Sequence, residues 1–80
     1  MPRGGHSLRN KSSEQVIGLL RHYGLELVRR GGHDTYEGMR DGRRYVVQVP
    51  RNRRALPPKT VASILAQAGI GKQEALDFWS

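Results

Sequence analysis

The stretch HDTYEGMRDGRRYVVQVP, residues 33–50, decides the fold. At its centre, Asp41-Gly42 is a two-residue hairpin signal, because both residues tolerate the positive φ that such a turn requires. On the far side of the turn, Tyr45, Val47 and Val49 alternate with Arg44, Val46 and Gln48, the period of a strand with one buried face. On the near side stand the β-formers Thr35 and Tyr36. The stretch therefore predicts strands over residues 33–39 and 43–49, closed by Pro50. Upstream, residues 25–30 (LELVRR) read as another short strand, and Gly31-Gly32 as the turn that leads into His33.

Helix signals flank the strands. Ser12 and Gln15 have the spacing of a capping box. Val16, Ile17, Leu19, Leu20 and Tyr23 then recur at helical spacing, and Gly24 stands where a helix ends left-handed. This predicts a helix over about residues 13–23. Pro57-Pro58 primes a second helix with an apolar stripe of Val61, Ile64, Leu65 and Ala68, ended by Gly69. A short last helix opens near Gly71 and offers Leu76, Phe78 and Trp79 for packing. The order α-β-β-β-α-α implies an α+β fold. Its economical packing is a three-stranded antiparallel sheet with helices on one face, the other face left open. Residues 1–11 lack periodicity and read as a flexible basic arm, of a composition that vector-derived residues share. Residues 12–80 form a single domain.

Eighty residues support only a modest core. No cysteine is present, so disulfides and thiolate metal sites are excluded. His6, His22 and His33 are scattered, without metal-ligand spacing, and no metal or cofactor is expected. Apolar runs are short, and the N-terminus carries no secretory signal, so a cytoplasmic protein is the expectation. Of the 14 cationic residues, Lys11, Lys59 and Lys72 are lysine and the rest arginine, against 7 acidic residues, a net charge of +7. The planar arginine fork suits phosphate, and the charge is clustered, so nucleic acid leads as partner. A basic surface also serves plain solubility.

There is no P-loop, dinucleotide fingerprint or Ser-His-Asp constellation. The chemistry open to a lone histidine and arginines includes RNA cleavage, since the 2′-hydroxyl is an internal nucleophile beside its own phosphate. His33 is the candidate proton carrier, set after Gly31 and Gly32, which allow a tight turn and leave room for substrate beside the ring. An ordinary turn histidine would satisfy the same residues. Arg29 and Arg30 precede it, and the loop with Arg51, Arg53 and Arg54 can return near it. Lys59 and Thr60, at the start of the second helix, have the free N–H groups and dipole that favour an anion. Plain capping with a solvated lysine is the alternative.

From Ser12 to about Phe78 the chain resembles the HicA, or YcfA-like, toxins of bacterial toxin–antitoxin modules. The resemblance rests on LLRHYGLELVRRGGH (residues 19–33), Tyr36, VVQVP (residues 46–50) and KTVASILAQAGI (residues 59–70), in that order. It implies a double-stranded-RNA-binding-like α-β-β-β-α fold. It also implies a ribosome-independent mRNA endonuclease, or mRNA interferase, held in check by a HicB-like antitoxin, with the catalytic histidine falling on His33. Three positions depart from the family. Gly32 replaces a serine, Asn52 stands where many members have a second histidine, and Lys59 replaces a glycine. The expected activity is a metal-independent endoribonuclease, with His33 as base or acid. The rivals are a non-catalytic RNA-binding module of the same fold and a protein-interaction domain that mainly meets an acidic antitoxin.

Overall fold

A computed structural model describes residues 8–80. Its elements are α1 (Ser13–His22), β1 (Glu26–Arg29), β2 (His33–Arg40), β3 (Arg43–Pro50), α2 (Pro58–Ala68) and α3 (Lys72–Trp79). The strands form one antiparallel sheet in the order β1-β2-β3, the α+β architecture expected.

The local signals act as their chemistry dictates. Ser12 Oγ accepts from the Gln15 N–H at 3.1 Å, and Gln15 Oε1 accepts from the Ser12 N–H at 2.9 Å, which satisfies two orphan donors of α1. At the other end Gly24 turns left-handed (φ 89°), and the Leu25 N–H donates back to the Leu20 carbonyl at 2.9 Å. That bond, and the complete burial of Leu25, explain why β1 begins at Glu26 and not one residue earlier. Arg30 also falls outside β1. α2 ends the same way, with Gly69 at φ 68° and the Ile70 N–H on the Leu65 carbonyl at 3.0 Å. Asp41 (φ 52°) and Gly42 (φ 76°) make the hairpin turn, flanked by the paired Arg40 and Arg43.

The core lies between the helices and one sheet face. Val16, Leu19 and Leu20 from α1 meet Tyr36 of β2, Val47 and Val49 of β3, and Val61, Ile64, Leu65 and Ala68 of α2. Leu27 and Tyr45 are partly buried against this cluster. α3 adds Ala75 to it and buries Leu76. The other sheet face is open. Val28, Met39 and Val46 stand exposed, and Glu37 and Arg44 are paired on it.

Gly38 allows β2 to pass close to the end of α1. A Cβ there would lie 2.6 Å from the Gly24 carbonyl oxygen, closer than backbone tolerates. Arg40, two residues on, closes the far corner. Its Nη2 donates to the Ala68 and Gly69 carbonyls at 2.6 and 3.0 Å, at the negative end of the α2 dipole. The guanidinium also lies over the Tyr45 and Tyr23 rings, 4.6 and 5.3 Å from their centroids.

Of the arm expected over residues 1–11, residues 1–7, with His6, lie outside the described residues. Lys11 forms an isolated bridge with Leu56, its ammonium lies over the Trp79 ring, and Leu8 packs against the core.

Candidate nucleic-acid interface

His33 is the first residue of β2 and is exposed. It pairs with Pro50, the last residue of β3, so the basic loop leaves the sheet directly beside it. Gly31 and Gly32 form the bend before it, but neither adopts a positive φ. A Cβ on Gly32 would meet nothing within 4 Å, and one on Gly31 would touch only the His33 carbonyl oxygen at 3.5 Å. The tight turn expected of these glycines is therefore not one that demands glycine.

Side-chain alternation decides what His33 faces. His33, Thr35, Glu37 and Met39 point to the open side of the sheet, and Asp34 and Tyr36 to the helix side. The period-2 pattern already held this distinction.

On the helix side lies a cleft of about 480 Å³. Ser12, Ser13 and Glu14 of the α1 start form one wall, Arg51, Asn52, Arg53 and Arg54 another, with Ile17, Leu27, Arg30, Asp34 and Tyr36 completing it. Arg30, Arg53 and Arg54 are exposed, and among the described residues they make no ion pair. Arg51 is engaged. Its Nε lies 3.4 Å from Asp34 Oδ1, and its Nη1 donates to the Gly31 carbonyl at 3.5 Å, tying the basic loop to the bend before His33.

The loop itself is held by Ser13. The Ser13 hydroxyl donates to the Pro50 carbonyl at 2.6 Å and accepts from the Arg53 N–H at 3.0 Å, while the Ser13 N–H donates to the Arg53 carbonyl at 2.9 Å. The turn between them places Asn52 at φ 54°, a conformation that asparagine and histidine both favour over other side chains. Sequence reasoning used Ser13 only as the first residue of a helix. Nothing local marks it as the anchor of a loop 40 residues away.

Tyr36 lines the cleft and is 5% exposed. Burial pushes its hydroxyl above the ordinary tyrosine range, Asp34 adds to the rise, and Arg21 and Arg30 offset part of it. The group is a neutral donor at physiological pH.

Of the other candidates, Arg29 is exposed at the end of β1 and does not line the cleft. Lys59 and Thr60 occupy the first turn of α2, where Pro57 offers no side-chain cap, and they too are outside the cleft. His22 packs its ring 4.9 Å from that of Phe78, at the far end of α1. Among the described residues no three His, Cys, Asp or Glu side chains gather as a metal site, and no helix is long and apolar enough to cross a membrane.

No curated protein matches the chain significantly. A family model described as the HicA toxin of bacterial toxin–antitoxin systems matches residues 13–70, from the first residue of α1 to the residue that follows the α2 cap. That span holds the sheet, both flanking helices, the basic loop and His33, and the chain belongs to the HicA toxin family.

Proposed function

We propose that the protein is a metal-independent endoribonuclease acting on mRNA, the toxin of a pair whose partner is a HicB-like antitoxin. Membership of a family of toxin–antitoxin toxins, generally ribonucleases, supports the class. The observation that carries the residue assignment is the pairing of His33 with Pro50, which sets an exposed imidazole beside the loop of Arg51, Arg53 and Arg54. In the reaction the 2′-hydroxyl oxygen attacks the adjacent phosphorus and the bond to the 5′-oxygen breaks. A cyclic phosphate and a free 5′-hydroxyl remain. His33 carries one of the two protons, from the 2′-oxygen or to the 5′-oxygen, and water carries the other. Arginines stabilise the charge that gathers on the phosphorane. The nucleophile is internal, so no metal is needed to generate it. The cytoplasm, where mRNA and antitoxin meet, is the site of action.

Asn52 favours a second reading. It occupies the position of the second histidine in many relatives, so a single proton carrier remains beside the loop, and an RNA-binding module without turnover would keep the same surface.

The deciding experiment compares wild type with His33→Ala in cleavage of a long mRNA, with and without EDTA. Cleavage that survives EDTA and disappears in the variant, with the circular dichroism spectrum intact, is the expected result. Activity that persists in His33→Ala overturns the assignment, and activity lost to EDTA overturns the metal-free mechanism.

A further inference from the structure

The cleft on the helix side of the sheet is not where His33 points, yet its composition asks for a ligand. Tyr36 is 95% covered as a residue, but its hydroxyl is not among the fully buried unpaired atoms, and it donates to no protein acceptor among the described residues. Asp34 Oδ1, on the same face of β2, is buried and also lacks a hydrogen bond, its contact with Arg51 Nε being a 3.4 Å ion pair. Leaving such a buried oxygen unsatisfied is costly. The cleft thus offers one buried unmet acceptor, Asp34 Oδ1, and one hydroxyl free of protein partners, Tyr36, with Ile17 and Leu27 among its apolar lining. Its rim carries Arg30, Arg53 and Arg54 against the single carboxylate of Glu14, with Asp34 paired to Arg51.

These features select among ligands. A backbone phosphodiester satisfies the arginines but has only acceptors, so it leaves Asp34 unanswered and gains nothing from the apolar lining. A nucleobase edge presents an acceptor beside an N–H donor on a flat apolar body, and its nucleotide ends in a phosphate. The volume is that of a small-ligand cleft.

We propose that this cleft is a nucleotide subsite, resting on the ribonuclease reading above. It takes one unpaired nucleotide that flanks the scissile bond, the base between Ile17 and Leu27 with its edge on Tyr36 and Asp34, the phosphate on Arg30, Arg53 and Arg54. Arg51, part exposed, swings from Asp34 towards the phosphate as the base enters. The RNA strand then wraps the end of the sheet where His33 pairs with Pro50, one nucleotide on each side. Such a path requires single-stranded RNA, since a duplex cannot place a base in the cleft.

The test titrates isotope-labelled His33→Ala protein with uridine and guanosine 5′-monophosphates, and separately with inorganic phosphate, followed by NMR. Nucleotides are expected to shift the Tyr36 ring and the amides of Ser13, Asn52, Arg53 and Arg54, and to bind more tightly than phosphate. Tyr36→Phe should weaken nucleotide binding roughly three- to tenfold, the worth of one hydrogen bond, and leave phosphate binding unchanged. Phosphate that binds as tightly as the nucleotides, shifts confined to the open sheet face, absence of saturable shifts, or a neutral Tyr36→Phe would each overturn the proposal. Wild-type cleavage of RNA is measured in parallel. A protein that binds nucleotide here but cuts no RNA loses the ribonuclease reading and keeps the subsite. A protein that cuts RNA with an empty cleft loses only the subsite.

Discussion

The Ser13 hydroxyl lies between the two limbs of the basic loop, 3.0 Å from the Arg53 N–H that it accepts and 2.6 Å from the Pro50 carbonyl to which it donates. One buried oxygen on α1 therefore joins the two limbs of the loop, beside the Arg51 contacts with Asp34 and Gly31 that tie it to the sheet.

Removing that oxygen strands two polar groups. Ser13→Ala leaves the Pro50 carbonyl and the Arg53 N–H without this partner. The expected cost is about 1–3 kcal/mol, read from the urea midpoint. Hydrogen exchange at the Arg53 amide should quicken by more than exchange in α2. Unchanged exchange at Arg53 would show that the loop holds its shape without Ser13.

Gly38 and Gly32 should respond oppositely to alanine. At position 38 the new methyl meets the Gly24 carbonyl oxygen at 2.6 Å, backbone against backbone. Strand or helix must shift, at a cost of about 1–3 kcal/mol. At position 32 the methyl enters open space, and the change should stay within about 0.5 kcal/mol. Thermal melts of the two variants side by side decide it. A neutral Gly38→Ala would refute the close approach of β2 to the end of α1.

Arg40 closes the end of α2 with two bonds from one nitrogen. Arg40→Ala should cost about 1.5–3 kcal/mol, the range for hydrogen bonds to a charged group. Arg40→Lys should recover only part of this, because an ammonium cannot lay a planar face over Tyr45 while reaching both carbonyls. Equal stability of the lysine variant and wild type would mean that charge alone matters at this corner.

Tyr36 gives the fold an alkaline limit. Its folded-state pKa is raised by burial, so below the ordinary tyrosine value, about 10, both folded and unfolded states hold the proton and stability is indifferent to this group. Above it the unfolded chain gives up the proton first, and stability falls as pH rises towards the folded value. The stability of wild type relative to Tyr36→Phe should therefore be constant from pH 7 to 9 and decline by pH 11. Urea titrations of both proteins across that range supply the measurement. A constant difference would remove Tyr36 from the interior.

What the sequence discloses and what it hides differ in range. The hairpin turn at Asp41-Gly42, the Ser12 and Gln15 box and the glycine ends of α1 and α2 are set by neighbours within a few residues, and each was legible. The face of the sheet that His33 occupies was also written in the alternation with Asp34 and Tyr36. Ser13, Gly38 and Arg40 act across the fold, on partners 37, 14 and 28 residues away respectively in the case of Pro50, Gly24 and Ala68. A serine, a glycine and an arginine have no local signature for such duties. The cleft was hidden for the same reason, since its walls come from α1, β1, β2 and the loop after β3.

The single tryptophan makes the molecule its own optical probe. Trp79 donates its indole N–H to the Gln15 carbonyl at 3.1 Å, under the ammonium of Lys11, at the seam where α3 meets α1. Its emission therefore reports the docking of α3, a segment beyond the span matched to the family. Fluorescence and far-ultraviolet circular dichroism that unfold at one denaturant midpoint would make α3 an inseparable part of the cooperative unit. An earlier fluorescence transition would make it a latch that opens while the sheet stays folded.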